Sequence, residues 1–283
     1  METAIRIVTT VFDKSIDSLR PRRRGPWPHE FVPIIRLLVY AVLARFPTTR
    51  SVHAHLTERR NIWRQLGFSS CPSRRSIDRW KARYACEFEQ CIALLGNEYI
   101  RLAHPDWTLL DSTPLTDKHD RDGRTGKTSR GWFHGYKLHT GCDELSVPLR
   151  ATFTTGNVFD STPATRLLAP TPCVGGDAAY DNTQLKRKVR QQQSVPHFVH
   201  NPRRAGQNAK RPTHPALGRV RSAVERCFSI IKLQVLQGAW TRVKGYAAKA
   251  AMALTSVLAL QALALYTLRT SGAVSLRVSE VRR

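Results

Sequence analysis

The pattern of apolar and polar positions changes character near residue 105. Before it, the pattern is helical. "EFVPIIRLLVYAVLARF", starting at Glu30, is apolar on most faces, and "TTRSVHAHLTERRNIWRQLGF" opens on a Thr/Ser cap candidate and ends near Gly67. "CPSRRSIDRWKARY" offers Ser73 as an N-cap and Ile77, Trp80 and Tyr84 as an apolar stripe, surrounded by Arg74, Arg75, Arg79, Lys81 and Arg83. From Trp107 onward, β-branched and aromatic residues concentrate in "WTLLDST" (107–113), "WFHGYKLHT" (132–140) and "VPLRATFTT" (147–155). This predicts three strands, with "GCDEL" as the hairpin turn between the second and third. A helix is expected near "DSTPATRLLA", with Thr162 as cap and Pro163 in the first turn. "CVGGDAAY" then predicts a strand, "NTQLKRKVRQQQ" a helix and "VPHFVHN" a strand. Val220, Val224, Phe228, Ile231 and Val235 recur at near-3.6 spacing, the mark of an amphipathic helix.

Three strands, then helix, strand, helix, strand and helix predict an α/β fold: a ribonuclease H-like mixed sheet flanked by helices, preceded by an all-helical region. The expected domains are a helical region over 1–104 with a basic arm ("RPRRRGPWP", 20–28), a mixed-sheet domain over 105–270, and a basic C-terminal tail over 271–283. Two short helices around "GFSSCPS", the second strongly basic, read as a helix-turn-helix-like DNA reader or as a plain bundle with a solvated basic face. The segment 250–268 is uncharged for 19 residues, long enough to span a bilayer. Its alanine content, with Thr255, Ser256 and Gln261, favours a buried core helix, so no membrane association is expected. The charged run 116–131 reads as a solvated loop, with a metal cluster of Asp117, His119 and Asp120 as the lesser alternative.

Charge changes this picture most. The 283 residues carry 45 Lys and Arg against 21 Asp and Glu, a formal net charge of +24. Such an excess attracts polyanions, and nucleic acid is the commonest. Low glycine and 41% hydrophobic content argue against a disordered basic protein. The six cysteines are scattered without a C-x-x-C pair, which fits reduced thiols in the cytosol and offers no zinc-finger pattern. The N-terminal residues carry early acids and no long apolar run, so no secretory signal is read and a cytoplasmic, nucleoid-associated location is expected.

Within so basic a chain, acids on strands are informative. Asp111 follows apolar residues of a central strand, Asp177 ends another, and Glu225 lies on the helix expected to pack on that sheet. Oxygen ligands converging at one sheet rim suit Mg²⁺ or Mn²⁺. Two such ions would activate a water or a 3′-hydroxyl and stabilise the leaving oxygen. Each Asp taken alone also suits a cap or turn. At about 100° per residue, Arg221, Glu225 and Lys232 share one helical stripe. Four-residue spacing makes Arg221 and Glu225 a surface ion pair on the simplest reading.

These stretches resemble a known family, the bacterial insertion-sequence transposases of the DDE class, over roughly residues 30–268. "LLDST" resembles the first-aspartate strand, "HGYKLHTGCDELSVPLRATFTTGNVFDS" the stretch ending in Gly-Asn-x-x-Asp, "GGDAAYDN" the second-aspartate strand, and "VERCFSIIKL" the glutamate helix. The signature Tyr-x2-Arg-x3-Glu-x6-Lys is met at Arg221, Glu225 and Lys232 and fails at its tyrosine, where Gly218 stands. The resemblance implies Asp111, Asp177 and Glu225 as catalytic residues and ligands of two Mg²⁺ (or Mn²⁺) ions, with Arg221 and Lys232 on transposon-end phosphates. Lys137 is a further DNA-binding candidate, sharing a strand face with His139, and Arg75 and Arg79 are candidates in the helical region. Asn157 and Asp160 match the family motif, though capping and turn formation explain both. The expected activity is cleavage of double-stranded DNA at element ends and joining to target DNA, with a homodimer in the DNA complex. The alternatives are a metal-dependent nuclease without strand transfer and a domesticated DNA-binding regulator.

Overall fold

The computed structural model describes residues 1–13, 16, 19, 30–128, 131–201, 214–237 and 242–282. The basic arm 20–28 lies outside them. Two compact units emerge, one of Met1–Leu94 with Ile231–Arg283, the other of Leu95–Ile230. The boundaries therefore differ from a simple cut near 104, because the chain returns to the helical unit after the sheet.

The helical unit holds α1 (Glu2–Val11), α2 (Phe31–Leu43), α3 (Thr49–Glu58), α4 (Arg60–Gln65), α5 (Arg74–Arg83) and the first half of α6 (Ala85–Ala103). The expected single helix from 48 to 67 is two, broken at Arg59, whose φ of −115° and ψ of 76° leave the helical region. Thr48 caps α3, and Ser73 caps α5 by accepting from the Ser76 amide. Ile77, Trp80 and Tyr84 form the buried stripe of α5, with Phe68 stacked on Trp80 at 5.9 Å.

The long apolar helix of this unit lies nearer the C-terminus, Tyr246–Ser271. By length and composition it passes for a membrane span, yet 78% of its apolar window is buried inside the protein. Its neighbours include α1, α2 and α5. The hydroxyls along it are satisfied internally. The Thr255 and Ser256 hydroxyls donate to the carbonyls of Ala251 and Met252 at 2.6 and 2.8 Å, and Gln261 Nε2 donates to the Ile92 carbonyl at 3.0 Å. Beyond it, Val278 and Val281 are buried, and the 3₁₀ turn Val278–Arg282 packs near α1. The expected basic tail is thus partly core.

The second unit is built on a mixed six-stranded sheet: β1 (Trp107–Thr116), β2 (Arg124–Thr128), β3 (Gly131–Cys142), β4 (Pro148–Thr155), β5 (Cys173–Gly176) and β6 (Val195–Phe198). The order is β2-β3-β1-β5-β6, with β4 also on β3. β1, β3 and β4 pair antiparallel, and β5 and β6 continue parallel to β1. This is the ribonuclease H-like arrangement. Strand β2 is a correction: it arises inside the charged run expected as loop. Asp117 and Asp120 are buried there, accepting from the amides of His119 and Asp122. The expected helix after Asp160 is only a 3₁₀ turn, Ala164–Leu167, with no side-chain cap.

Helices α7 (Thr183–Gln191), α8 (Pro215–Val220) and α9 (Ser222–Ser229) flank the sheet's second half. The expected continuous helix from 215 to 235 keeps helical dihedrals through Arg221 and passes into π-helix over Ile230–Leu236. Constant 100° winding therefore does not run from Arg221 to Lys232. Ala223, Val224, Cys227 and Phe228 are buried on α9, while Arg221 and Glu225 are exposed.

Gly218, at the expected tyrosine position, lies in helical α8, and a Cβ added to it would meet nothing within 4 Å. Gly218→Ala should raise stability by about 0.5–1 kcal/mol, read as a higher denaturant midpoint at unchanged slope.

Candidate active site

Strands β1 and β5 run parallel with Leu110 opposite Gly176. The next residues, Asp111 within β1 and Asp177 just past the end of β5, therefore stand side by side, about 5 Å apart at the backbone. Two bare glycines permit this. A Cβ on Gly175 would meet Leu217 Cδ1 at 2.5 Å, and one on Gly176 would meet the Tyr180 ring at 3.0 Å. Each aspartate spends Oδ1 on a backbone amide: Asp111 accepts from Ser112 at 2.7 Å and Asp177 from Ala179 at 2.9 Å. This fixes both carboxylates and leaves Oδ2 of each for a ligand.

Asp160 gathers the other polar groups. Its Oδ1 accepts from Ser112 Oγ at 2.7 Å and from Lys137 Nζ at 2.9 Å, and Lys137 also donates to the Val158 carbonyl at 3.0 Å. Lys137 is buried, so its ammonium is committed to Asp160 rather than offered to solvent. His139, two residues along β3, is fully buried beside it. Thr154 Oγ1 donates to the Thr155 carbonyl, which leaves its oxygen to accept from His139 Nε2 at 2.8 Å. Nδ1 of His139 lies 3.8 Å from Asp160. Burial agrees, pulling the His139 pKa down to about 4, with Asp160 opposing and Lys137 assisting. Sequence reading singled out Lys137 and His139 by strand alternation and Asp160 by its motif, but not their joint network. Only the tertiary fold brings the loop after β4 to β1.

The electrostatics mark Asp111. Burial pushes its pKa up to about 7; the Ser112 amide and Arg221 pull the other way, while Asp177 and Asp160 add to the rise. Asp111 pairs with Thr140, and Leu109 two residues earlier pairs with Cys142, whose thiol lies against Cys227 of α9. Asp111 therefore faces the helix that carries Glu225. Tyr180 is buried against the same acids, and its hydroxyl has no hydrogen-bond partner among the described residues. Sequence alone offered Tyr180 only as a family motif position.

Asp111, Asp177 and Asp160 thus come together with Arg221 at the start of α9. Glu225 is exposed on that helix, and among the described residues no group of three or more His, Cys, Asp or Glu side chains stands close enough to hold a metal ion. The donor chemistry nevertheless fits a hard divalent cation: two fixed carboxylates with free oxygens and a mutual repulsion that a cation would relieve. Lys232 lies half-buried in the π-helical segment, and Arg75 and Arg79 are exposed on α5.

Because the folded Asp111 carboxyl holds its proton up to about pH 7 and the unfolded one only to 3.8, the metal-free protein loses stability as pH rises between those values. With chelator present, Asp111→Asn should stabilise relative to wild type by an amount growing from near zero at pH 4 to roughly 1–4 kcal/mol above pH 7. Thermal melts of both proteins across that range check it; a difference independent of pH would remove the carboxyl as its cause.

Residues 103–261 match the family described as Transposase DDE domain. No curated protein matches the sequence. Among solved structures, the cryo-EM structure of the piggyBac transposase synaptic complex with hairpin DNA is similar over 99% of this chain and 76% of that one, at 11% identity and a TM-score of 0.41. The matched span takes in more than half of the 283 residues, both aspartates and the glutamate helix: the chain belongs to the transposase DDE-domain family.

Proposed function

We propose that this transposase-family protein binds the terminal repeats of its own element, cleaves the DNA ends and joins them to target DNA. The observation that carries this reading is the parallel β1–β5 register, which sets Asp111 beside Asp177 in a chain of this family. Asp111, Asp177 and Glu225 would hold two Mg²⁺ or Mn²⁺ ions. When bound, such ions supply an activated water or 3′-hydroxyl and neutralise the leaving oxygen.

The chain's own groups set the stage. Ser112 ties the two halves together, its amide on Asp111 and its hydroxyl on Asp160. Lys137 balances the Asp160 charge and so acts as a positioning residue in this reading, in place of the direct DNA contact expected from sequence. Arg221 is exposed yet close enough to draw down the Asp111 carboxyl, which suits a guanidinium that receives the scissile strand's phosphate. Lys232 would add a second phosphate contact, and Arg75 and Arg79 would read or grip DNA from α5. Homodimer formation on paired ends belongs to the same proposal. A DNA-binding regulator without catalysis is the second reading, favoured by the exposed Glu225 outside any three-carboxylate group among the described residues.

A labelled element-end duplex incubated with Mg²⁺ separates these readings: cleavage with joining supports the transposase, cleavage alone a nuclease, binding alone the regulator. Asp111→Asn, Asp177→Asn and Glu225→Gln should each lower cleavage and joining by at least about 10³-fold while changing duplex affinity little, since phosphate contacts dominate binding. Metal-dependent cleavage retained by one purified variant would take that residue out of the site.

Arg75→Ala with Arg79→Ala should weaken binding to element ends by about 1–3 kcal/mol per base-reading contact. If the two arginines touch only phosphates, random duplex weakens equally and the salt dependence flattens. Unchanged affinity for both duplexes would leave α5 a structural helix.

A further inference from the structure

At the β6 edge of the sheet, a polar cleft of about 240 Å³ is lined by Asp181, Lys186, Arg190, His197, His200 and His214. Asp181 is its anchor. It ion-pairs with Lys186, accepts from the Asn201 amide at 2.7 Å and lies 3.4 Å from His200 Nδ1. That contact turns the far nitrogen of His200 away from the carboxylate. His200 Nε2 is buried and has no hydrogen-bond partner among the described residues. His197 sits between Trp107, at 5.1 Å between ring centroids, and His214, at 4.4 Å. Burial, and then the neighbouring His214, pull its proton affinity down. His214 Nδ1 accepts from the Ala216 amide at 3.3 Å, which puts the ring's proton on Nε2. The Arg190 side chain makes no hydrogen bond or ion pair among the described residues. Lys186 offsets the single carboxylate, so the Arg190 guanidinium and His214 Nε2 remain as donors without an acceptor among the described residues, beside the unpartnered Nε2 of His200.

Such a donor set selects an anion. The three histidines are not arranged to hold a metal ion among the described residues, and the polar walls do not suit an apolar ligand. Tetrahedral phosphate oxygens accept from a guanidinium and from imidazolium N–H groups together. Asp181 follows Asp177 by one 3₁₀ turn. At about 2 Å rise per residue the two aspartates stand roughly 8 Å apart, two or three nucleotide steps along a strand.

We propose that this cleft is a phosphate-binding site, occupied by a backbone phosphate of a DNA strand that passes the catalytic aspartates; the DNA part rests on the function proposed above.

The test uses the full chain in chelator. Inorganic phosphate is titrated while the histidine ring resonances are followed by NMR. The expected result is saturable shifts at His200 and His214, weakened about tenfold in Arg190→Ala and in His200→Gln. Arg190→Ala carries the test if His200→Gln fails to fold, because Arg190 is exposed. Absence of shifts, or shifts driven by Zn²⁺ and not by phosphate, overturns the site. An element-end duplex supplies the second arm: it should displace inorganic phosphate, and Arg190→Ala should lower the slope of log affinity against log salt by about 1. Phosphate binding without displacement by DNA overturns the DNA part and leaves a free-anion site. Cleavage by wild type with an unaltered Arg190→Ala salt slope does the same, and it leaves the transposase reading standing. The phosphate arm needs no DNA cleavage, so the two failures remain separate.

Discussion

The site depends on the register between β1 and β5. A one-residue slip would turn Asp111 to the other face of the sheet and part it from Asp177. Leu110 opposite Gly176 sets that register, and the two glycines hold it by letting Leu217 and the Tyr180 ring press onto bare backbone. Larger side chains at 175 and 176 would push α8 and the 3₁₀ turn outward. The acidic pair therefore follows from packing: small residues where helix and ring approach closely, and carboxylates at the first positions beyond.

Packing the acids together has an electrostatic cost, met by local polar contacts. Backbone amides hold one oxygen each of Asp111 and Asp177, and Lys137 is buried to balance Asp160. Asp111 bears the remaining strain, its carboxyl pushed up to about 7 mainly by burial. The same logic accounts for Lys137 at the base of the site: a buried ammonium is tolerated only where a carboxylate and a carbonyl complete its donors.

The helical unit solves a different problem. A 26-residue helix with hardly any polar face is soluble only if its whole circumference is covered. The first helices of the chain supply that cover, and the hydroxyls within it bond to its own carbonyls. Closing this unit requires residues separated by the entire sheet, which explains why a composition-based boundary near 104 misses it.

The sequence by itself determined the element types, the α/β order, the apolar stripe of α5, the caps at Thr48 and Ser73, and the candidacy of Asp111, Asp177, Glu225 and Arg221. These are local signals: periodicity, capping chemistry, and acids placed at strand ends or along a helix. It did not determine that β2 forms in a charged run, because the pairing partner β3 supplies the stability that the run lacks alone. Nor did it determine the π-helical winding after Ile230, since a stripe read at constant pitch assumes an ideal helix. Lys137 reads as an exposed cation from strand alternation, and its burial depends on Asp160, 23 residues away. Long-range contacts of this kind leave no periodic trace in the chain, so the tertiary structure alone decided which charges meet, which face solvent, and which hydroxyl and imidazole groups surround the acids.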